Sequence, residues 1–529
     1  MGAGTSGLRS PDGVDPRLGA THEPARPPSG HLVAFRPRAP ALHGLAGPGP
    51  RAGLRGDGRP LPARGPGGHL RRGRRAVRRP RCPGAGDRGG RGLAGGGRLA
   101  EGRMKGSPRR VQTLRLLAAA NLAGIGGLEL ALLLHGSRSF FLSIVGADFR
   151  ALYAAAAIAQ HEGFHRIYDL HAHEAVQRAL LGLGPGDSNF VVIPMVFPAA
   201  FVLPMLGLLP LGPAGAWAVW TLLGVLALGV YLRGWWGSEK GRGMAIALAL
   251  LSYPVFTNVL WGQVGTWLVL CAGECLRHLH RGRPGWAGIW AAGLLIKPQT
   301  LFLVLPALLG EGGWRALGGW AAAGAGVIGL SALLAGGEGL GRWLGLLMGF
   351  AAGYPAMVPE VVGAETMMSW RAWGALGERW APPPWRPWIW AGVGLGMGLT
   401  ALVALRPWWK GPRGPAGDPL HWLGLWAATP VVGWHAHPHT AVLALPALLA
   451  AQGTGRLPRW LLPFWALAPV AAWIGTTLGI SLGLLPDLSG LGNWAAARTL
   501  FLIHLGLALA IGARSRETPS SSGGPPCAG

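Results

Sequence analysis

The sequence is short of charge. Only 13% of its 529 residues are Asp, Glu, Lys or Arg, about half the share of an ordinary soluble protein. Acidic residues are the scarcer kind, 22 against 48 Lys and Arg. Cysteine is scarce too. Cys82 and Cys527 lie in low-complexity ends, and Cys271 and Cys275 sit one helical turn apart in an apolar stretch. That spacing excludes a disulfide framework or a structural zinc and reads as packing between helices. There is no Walker loop, no Rossmann fingerprint between a strand and a helix, and no HExxH pair. Without a nucleotide site, the energy for any group transfer has to arrive in the donor.

Apolar residues fill the space left by charge. They make up 50% of the chain, with 26 Trp and only 5 Tyr, and the mean hydropathy is +0.32. The class this implies is an all-α polytopic membrane protein. The net charge of +26 divides into two parts. Residues 1–103 carry 20 Arg, no Lys and 6 acidic residues, and they include LRRGRRAVRRPR at Leu70–Arg81. This Arg/Gly/Pro-rich extension has no apolar periodicity and is expected to stay disordered. It lacks the early apolar core of a signal peptide. Met104 opens MKGSPRR just before the first hydrophobic run and is the expected biological start, with a basic tail on anionic lipid as the alternative role of the extension. In the body, positive charge is spread over short loops between apolar runs, the habit of cytoplasmic loops, so nucleic acid is not an expected partner.

The expected organisation is therefore an extension at 1–103, a transmembrane domain at 104–513 and a disordered tail at 514–529. The first apolar run is Thr113–Leu134, and its basic leader puts its start in the cytoplasm. A polar loop of about fifty residues follows, Gly136–Asn189, too polar to cross and expected outside. Further apolar runs lie near 190–210, 213–232, 243–260, 264–280, 285–310, 315–336, 388–406, 420–451, 458–485 and 495–513, for about 10–13 crossings in all. A second polar region at 336–387 carries Glu338, Glu360, Glu365, Arg371, Glu378 and Arg379 among Trp343, Trp370, Trp373, Trp380 and Trp385, and is expected at the membrane surface. One conflict stands. The basic patch from Arg233 reads as cytoplasmic and the first loop as external, which requires an odd number of crossings between them, yet hydropathy shows two. Pro194, Pro198, Pro204 and Pro210 make the run at 190–210 a candidate kinked or re-entrant segment.

Four places carry candidate chemistry. In GADFRALYAAAAIAQHEGFHRIYDL, Phe149, Leu152, Tyr153 and Ala156 follow helical spacing, so a helix is expected to start near Asp148. Asp148 is then either a cap for that helix or a carboxylate facing a cavity, able to take a proton from a hydroxyl. Lys297 sits in an apolar stretch, directly before Pro298. It is either an intramembrane cation for a phosphate group or a side chain snorkelling from a helix end. The segment GWHAHPH places His435, His437 and His439 in alternation, as general base, phosphate partner, metal ligand or plain surface loop. Gln263 interrupts another apolar run and would bond a substrate or a neighbouring helix. Glu274 with Arg277 and His278 reads as a local helix pair.

The order of these segments carries a resemblance. The first-loop sequence above, then PMVFPAAFVLPMLGLLPLGPAGAWAVW, WGQVGTWLVL, RGRPGWAGIWAAGLLIKPQTLF and TPVVGWHAHPHTAVLALP, together resemble glycosyltransferase family 87. This is the DUF2029 group of polyprenyl-phosphate-mannose-dependent mannosyltransferases in the GT-C superfamily. The resemblance implies a GT-C-like helix bundle whose first extracytoplasmic loop carries short helices and an essential acid. Asp148 matches that acid, with Arg150, Tyr153 and Tyr168 in the same loop pattern. Lys297 matches the family's Lys-Pro position and would neutralise a leaving phosphate, and His437 matches a late histidine acting as base or phosphate ligand. The late polar motif corresponds to MMSWRAW, Met367–Trp373, which keeps Ser369 and Arg371. The aromatic-Pro-Pro of the family is replaced by Phe197-Pro198. The first loop has no DxD motif, so neither metal nor cofactor is expected.

The sequence thus points to a plasma-membrane transferase moving a hexose, mannose by resemblance, from a polyprenyl-phosphate donor to a glycolipid or glycan on the extracytoplasmic face. The expected site is Asp148 and His437 as catalytic groups, with Lys297, Arg150, Tyr153, Tyr168, Gln263, Arg371, His435 and His439 binding substrate. The alternatives are a transporter or flippase with polar residues along its path, and a catalytically silent scaffold. A transporter is expected to show internal repeats, and the sequence shows none.

Overall fold

A computed structural model describes residues 145–184, 190–237, 239, 241–352, 366–409, 416–485 and 491–514. The N-terminal extension, the run Thr113–Leu134 and the C-terminal tail lie outside them. Among the described residues the architecture is helical, with no strand. The chain is an all-α polytopic membrane protein.

The first loop holds α1 (Ala147–His161) and α2 (Leu170–Leu181). Asp169 caps α2 by accepting from the N–H groups of His171 and Ala172. The run at 190–210 is not a span. Prolines remove its N–H donors, and it folds into short turns at Ala199–Val202, Leu203–Leu206 and Leu209–Leu211. Side chains from elsewhere take over its backbone. Arg150 donates to the Val191 carbonyl at 2.9 Å, Gln177 bonds both N–H and C=O of Ile193, Trp343 donates to Val196 at 2.9 Å, and Tyr168 donates to Phe197 at 2.9 Å. This is how irregular backbone is tolerated beside a membrane: protein replaces the missing ladder. It also removes the topological conflict. Only α3 (Gly212–Leu232) separates the first loop from Arg233, so the crossing number is odd.

Next come α4 (Arg242–Leu250) and α5 (Tyr253–Trp261), bent by 48° at a break before Pro254 and together long enough for one span. Then follow α6 (Gly265–His280), α7 (Pro284–Ala292), α8 (Leu301–Ala352), α9 (Trp370–Trp380), α10 (Arg386–Trp409), α11 (Pro419–Val432), α12 (Leu445–Gly453), α13 (Leu461–Ser481) and α14 (Leu491–Arg514). By length and apolarity five segments qualify as spans among the described residues, six with the bent pair. This is fewer than the hydropathy runs predict. Apart from the run Thr113–Leu134, which lies outside the described residues, the difference has two sources. First, α8 is one span by that criterion but holds two reversals, at Gly313 (φ 58°) and Gly336 (φ 69°). Near the first, Gly312 packs on Pro284 and Gly310 on Trp408; beyond the second, Gly339 packs on the His165 backbone of the first loop. The leg between the two glycines, about 33 Å at 1.5 Å per residue, suits one crossing.

Second, several runs expected to cross stop short. Helix α6 has 16 residues, α7 has nine before a short turn at Gly293–Ile296, α11 has 14, and α12 has nine after a turn at Pro438–Ala444. With the adjoining turns counted, at 1.5 Å per residue these reach about 20–24 Å, against about 30 Å of hydrocarbon. Pro298, Pro438 and Pro446 enforce the breaks. Gln263, Lys297 and His435–His439 sit at the short ends. The second polar region also departs from expectation. Trp343 is buried against the first loop rather than lying in the interface, because its indole is needed by the Val196 carbonyl, while Trp380 and Trp385 are exposed as expected. Glu360 and Glu365 lie outside the described residues. Cys271 and Cys275 are buried in α6, and Arg277 donates to Glu274, as the sequence reading had them.

Candidate active site

Asp148 lies in the first turn of α1, but Gly146 is the capping residue and no side chain caps the helix. The carboxylate instead accepts a hydrogen bond from Gln263 Nε2. Gly262 makes this possible. It closes α5 at φ 67°, and a Cβ there would lie 2.5 Å from the Phe149 Cβ. Only glycine allows the end of α5 so close to the start of α1. The Gly146 N–H seals the junction on the Leu260 carbonyl at 2.6 Å. Burial pushes the Asp148 carboxyl above its ordinary value, opposed by the Gln263 bond and by the positive charges of Lys297 and Arg150.

Lys297 stands between two short turns, with its own N–H on Leu294 and its carbonyl taken by the Thr300 hydroxyl at 2.8 Å. It is 8% exposed. The ammonium points inward, 2.6 Å from His439 Nε2, so it does not snorkel to the surface. An ammonium has only donors, so that imidazole nitrogen accepts.

The segment Gly433–His437 is a strap without helix. His435 and His437 meet edge to face at 4.9 Å, and His437 stacks on His439 at 5.8 Å. Three successive carbonyls of the strap are each held by a different element. Arg371 of α9 donates to Trp434 at 3.4 Å, Gln299 donates to His435 at 3.1 Å, and the Met368 N–H donates to Ala436 at 2.8 Å. The Met367 carbonyl, next in the chain to Met368, accepts from Arg498 of α14. The backbone of the strap is thus occupied, while His437 Nε2, shielded from solvent, has no hydrogen-bond partner among the described residues.

The expected residues fall into two groups. Asp148, Gln263, Lys297, His435, His437, His439 and Arg371 form one connected set. Bonds join Asp148 to Gln263, Lys297 to His439 and Arg371 to the Trp434 carbonyl, ring contacts join the three imidazoles, and the Asp148–Gln263 pair is linked to the rest through the positive charge of Lys297. Tyr153 and Tyr168 lie apart. Their hydroxyls donate to the Leu209 and Phe197 carbonyls, which is scaffolding of the proline-rich segment. Arg150 does both, holding Val191 while its charge favours an ionised Asp148. No group of three His, Cys, Asp or Glu among the described residues is arranged to hold a metal ion. The set can hold an anion at Lys297 and accept a proton at Asp148. The sequence reading missed Gln299, Met368 and Arg498. Arg498 carried the same signal as Lys297, a lone cation in an apolar run; Gln299 and the Met368 backbone carried none.

No curated protein and no solved structure matches the chain. Residues 196–430 match the family model described as glycosyltransferase family 87, a stretch that takes in Gln263, Lys297 and Arg371 and stops just before the strap. The polar ends of the short helices lie inside or beside that matched region, and a glycosyltransferase family 87 region at 196–430 within a multi-pass membrane protein makes the chain a membrane glycosyltransferase.

Proposed function

We propose that the enzyme moves a hexose, mannose, from a polyprenyl-phosphate donor to a hydroxyl of a glycolipid or glycan on the extracytoplasmic face of the plasma membrane. The observation that carries this reading is a carboxylate, bonded to Gln263, within the field of a buried ammonium that bonds His439. Asp148 lies in the electrostatic reach of Lys297, and Lys297 bonds the histidine group. A transfer from a lipid phosphate needs both signs close together. The acceptor hydroxyl gives its proton to Asp148 and its oxygen forms a bond to the sugar's anomeric carbon. The bond from that carbon to the phosphate oxygen breaks, and the oxygen leaves with the electron pair. Lys297, with His439 behind it, balances the extra charge on the leaving phosphate. His437 offers a ring nitrogen to the phosphate or to the acceptor hydroxyl.

The depth of the groups agrees with a lipid-borne donor. Helices that stop at about 20–24 Å leave polar ends below the surface of the bilayer, where a headgroup on an isoprenoid chain can descend. The test uses the protein in nanodiscs with polyprenyl-phosphate mannose or polyprenyl-phosphate glucose and glycolipid acceptors. Transfer of mannose is expected, and Asp148→Asn is expected to lose about 10²- to 10⁴-fold in rate. Full activity in that variant removes Asp148 from the reaction. Movement of donor across liposomes without transfer makes the protein a flippase, and preference for glucose overturns the sugar assignment.

A further inference from the structure

Arg498 lies in the first half of α14, a 24-residue helix otherwise apolar around it, and is 5% exposed. Its guanidinium donates to the Met367 carbonyl and lies 5.2 Å from the ring of Trp373 and 5.9 Å from that of Trp494. A cation at this depth costs several kcal/mol on insertion scales. Packing alone would be met more cheaply by an apolar side chain. A planar fork that donates to a carbonyl while resting on aromatic faces is a task for arginine, not for lysine.

The carbonyl it holds is the one next to Met368, whose N–H is bonded to Ala436 at 2.8 Å. Ala436 stands between His435 and His437. A direct line of bonds therefore runs from α14 through Met367 and Met368 to the middle of the strap. The other two ties on the strap, from Arg371 and Gln299, reach Trp434 and His435. The Met368 tie is the one nearest His437. Without it, Ala436, directly ahead of His437, loses its anchor, while the ties on Trp434 and His435 and the Lys297–His439 bond are untouched.

We infer that Arg498 is a positioning residue for sugar transfer: by fixing Met367 it lets Met368 grip Ala436, and so sets the orientation of His437. The inference rests on the reading of His437 as a group that meets substrate. Arg498 itself does not touch substrate. Small displacements of a reacting group lower rates strongly, on the order of a hundredfold for about 1 Å. Arg498→Met should therefore reduce kcat by roughly 10- to 100-fold and leave the KM for the lipid donor nearly unchanged, because Lys297 and His439 stay in place. Arg498→Lys should recover part of kcat.

The deciding measurement is a double-mutant cycle in nanodiscs with polyprenyl-phosphate mannose, comparing Arg498→Met, His437→Ala and both together. If Arg498 acts through His437, the second substitution adds little to the first. Fully multiplicative losses mean a general structural role and overturn the inference. A raised donor KM at unchanged kcat means that Arg498 binds the donor directly, and overturns it too. If His437→Ala is impaired but Arg498→Met is not, the positioning role falls and the site reading stands; full activity of His437→Ala sinks the site reading on its own. Should Arg498→Met not fold, Met368→Pro removes the same N–H donor to Ala436, and the same loss of kcat is expected. A folded Met368→Pro with wild-type kcat refutes the line of bonds.

Discussion

His173 in α2 and His437 in the strap both have ring nitrogens hidden from solvent, and they are treated differently. His173 Nε2 is bonded to the Ile167 carbonyl at 2.7 Å and Nδ1 meets Gln177 at 3.1 Å. Burial holds its imidazole down to about 4, so it is neutral at any working pH. His437 lies edge to face with His435 and stacked on His439, and leaves Nε2 without a partner among the described residues. The two regions solve the same backbone problem. In the first loop, side chains serve the carbonyls of the proline-rich segment and are used up in doing so. In the strap, arginine, glutamine and a backbone N–H from outside serve the carbonyls, and the strap's own side chain at His437 keeps a nitrogen open. A satisfied polar group builds structure; an unsatisfied one at a protected place calls for a partner, which under the proposed function is a substrate group.

The sharpest way to break that comparison is to truncate both histidines. His437→Ala should cut transfer by about 10²- to 10⁴-fold, with the thermal midpoint in detergent unchanged. His173→Ala should leave the Ile167 carbonyl without its donor and cost about 1–3 kcal/mol of stability, with kcat per folded molecule kept. The reverse pattern, a stable but inactive His173→Ala protein, would show that the first loop does more than hold the site.

What the sequence made legible follows the same division. Lys297 stood out because a cation in an apolar run is rare, and Asp148 because an acid opens an amphipathic helix in a polar loop. Both reached the same neighbourhood. The scaffolding role of Tyr153 and Tyr168 was hidden, because their partners are backbone carbonyls, and a carbonyl has no identity in a sequence. The same reason hid Gln299 and Met368. Hydropathy counted α6, α7, α11 and α12 as crossings since it sees apolar character but not where a glycine or a proline ends a helix. The two reversals of α8 rest on Gly313 and Gly336 in a stretch full of glycines, where nothing singles them out.

A smaller effect is expected at the two groups around Asp148. Lys297→Met removes the cation proposed for the leaving phosphate and should raise the donor KM roughly tenfold to a hundredfold, the scale of a charged hydrogen bond. It should also move the acid limb of kcat/KM upward, since Lys297 favours an ionised Asp148. Gln263→Ala tests the second effect alone. Gln263 donates to the charged carboxylate. Without that bond the protonated form gains, so half the enzyme is protonated at a higher pH and activity is lost earlier as pH falls, by up to about one pH unit. A limb that stays put, or moves down, means that another group titrates.

The smallest change belongs to the first loop. Asp169 caps α2 through the N–H groups of His171 and Ala172, at 3.0 and 3.4 Å, and draws Arg166 at 3.0 Å and Arg342 of α8 at 3.3 Å. Burial opposes its ionisation, but the bonds from Arg166 and the two N–H groups outweigh it, so the carboxyl lies below its ordinary value. Its contribution is therefore present at neutral pH and is lost only as pH falls below the usual carboxylate range. Asp169→Ala should cost about 1 kcal/mol, the worth of a helix cap, and Asp169→Asn less, because an amide still caps while the partly exposed ion pairs are worth little. Thermal melts of the two variants at neutral pH separate these contributions, and kcat should be the same in both. A fall in kcat at Asp169→Asn would mean that the tie from Asp169 to Arg342 reaches the transfer site, and the first loop would then be working parts rather than frame.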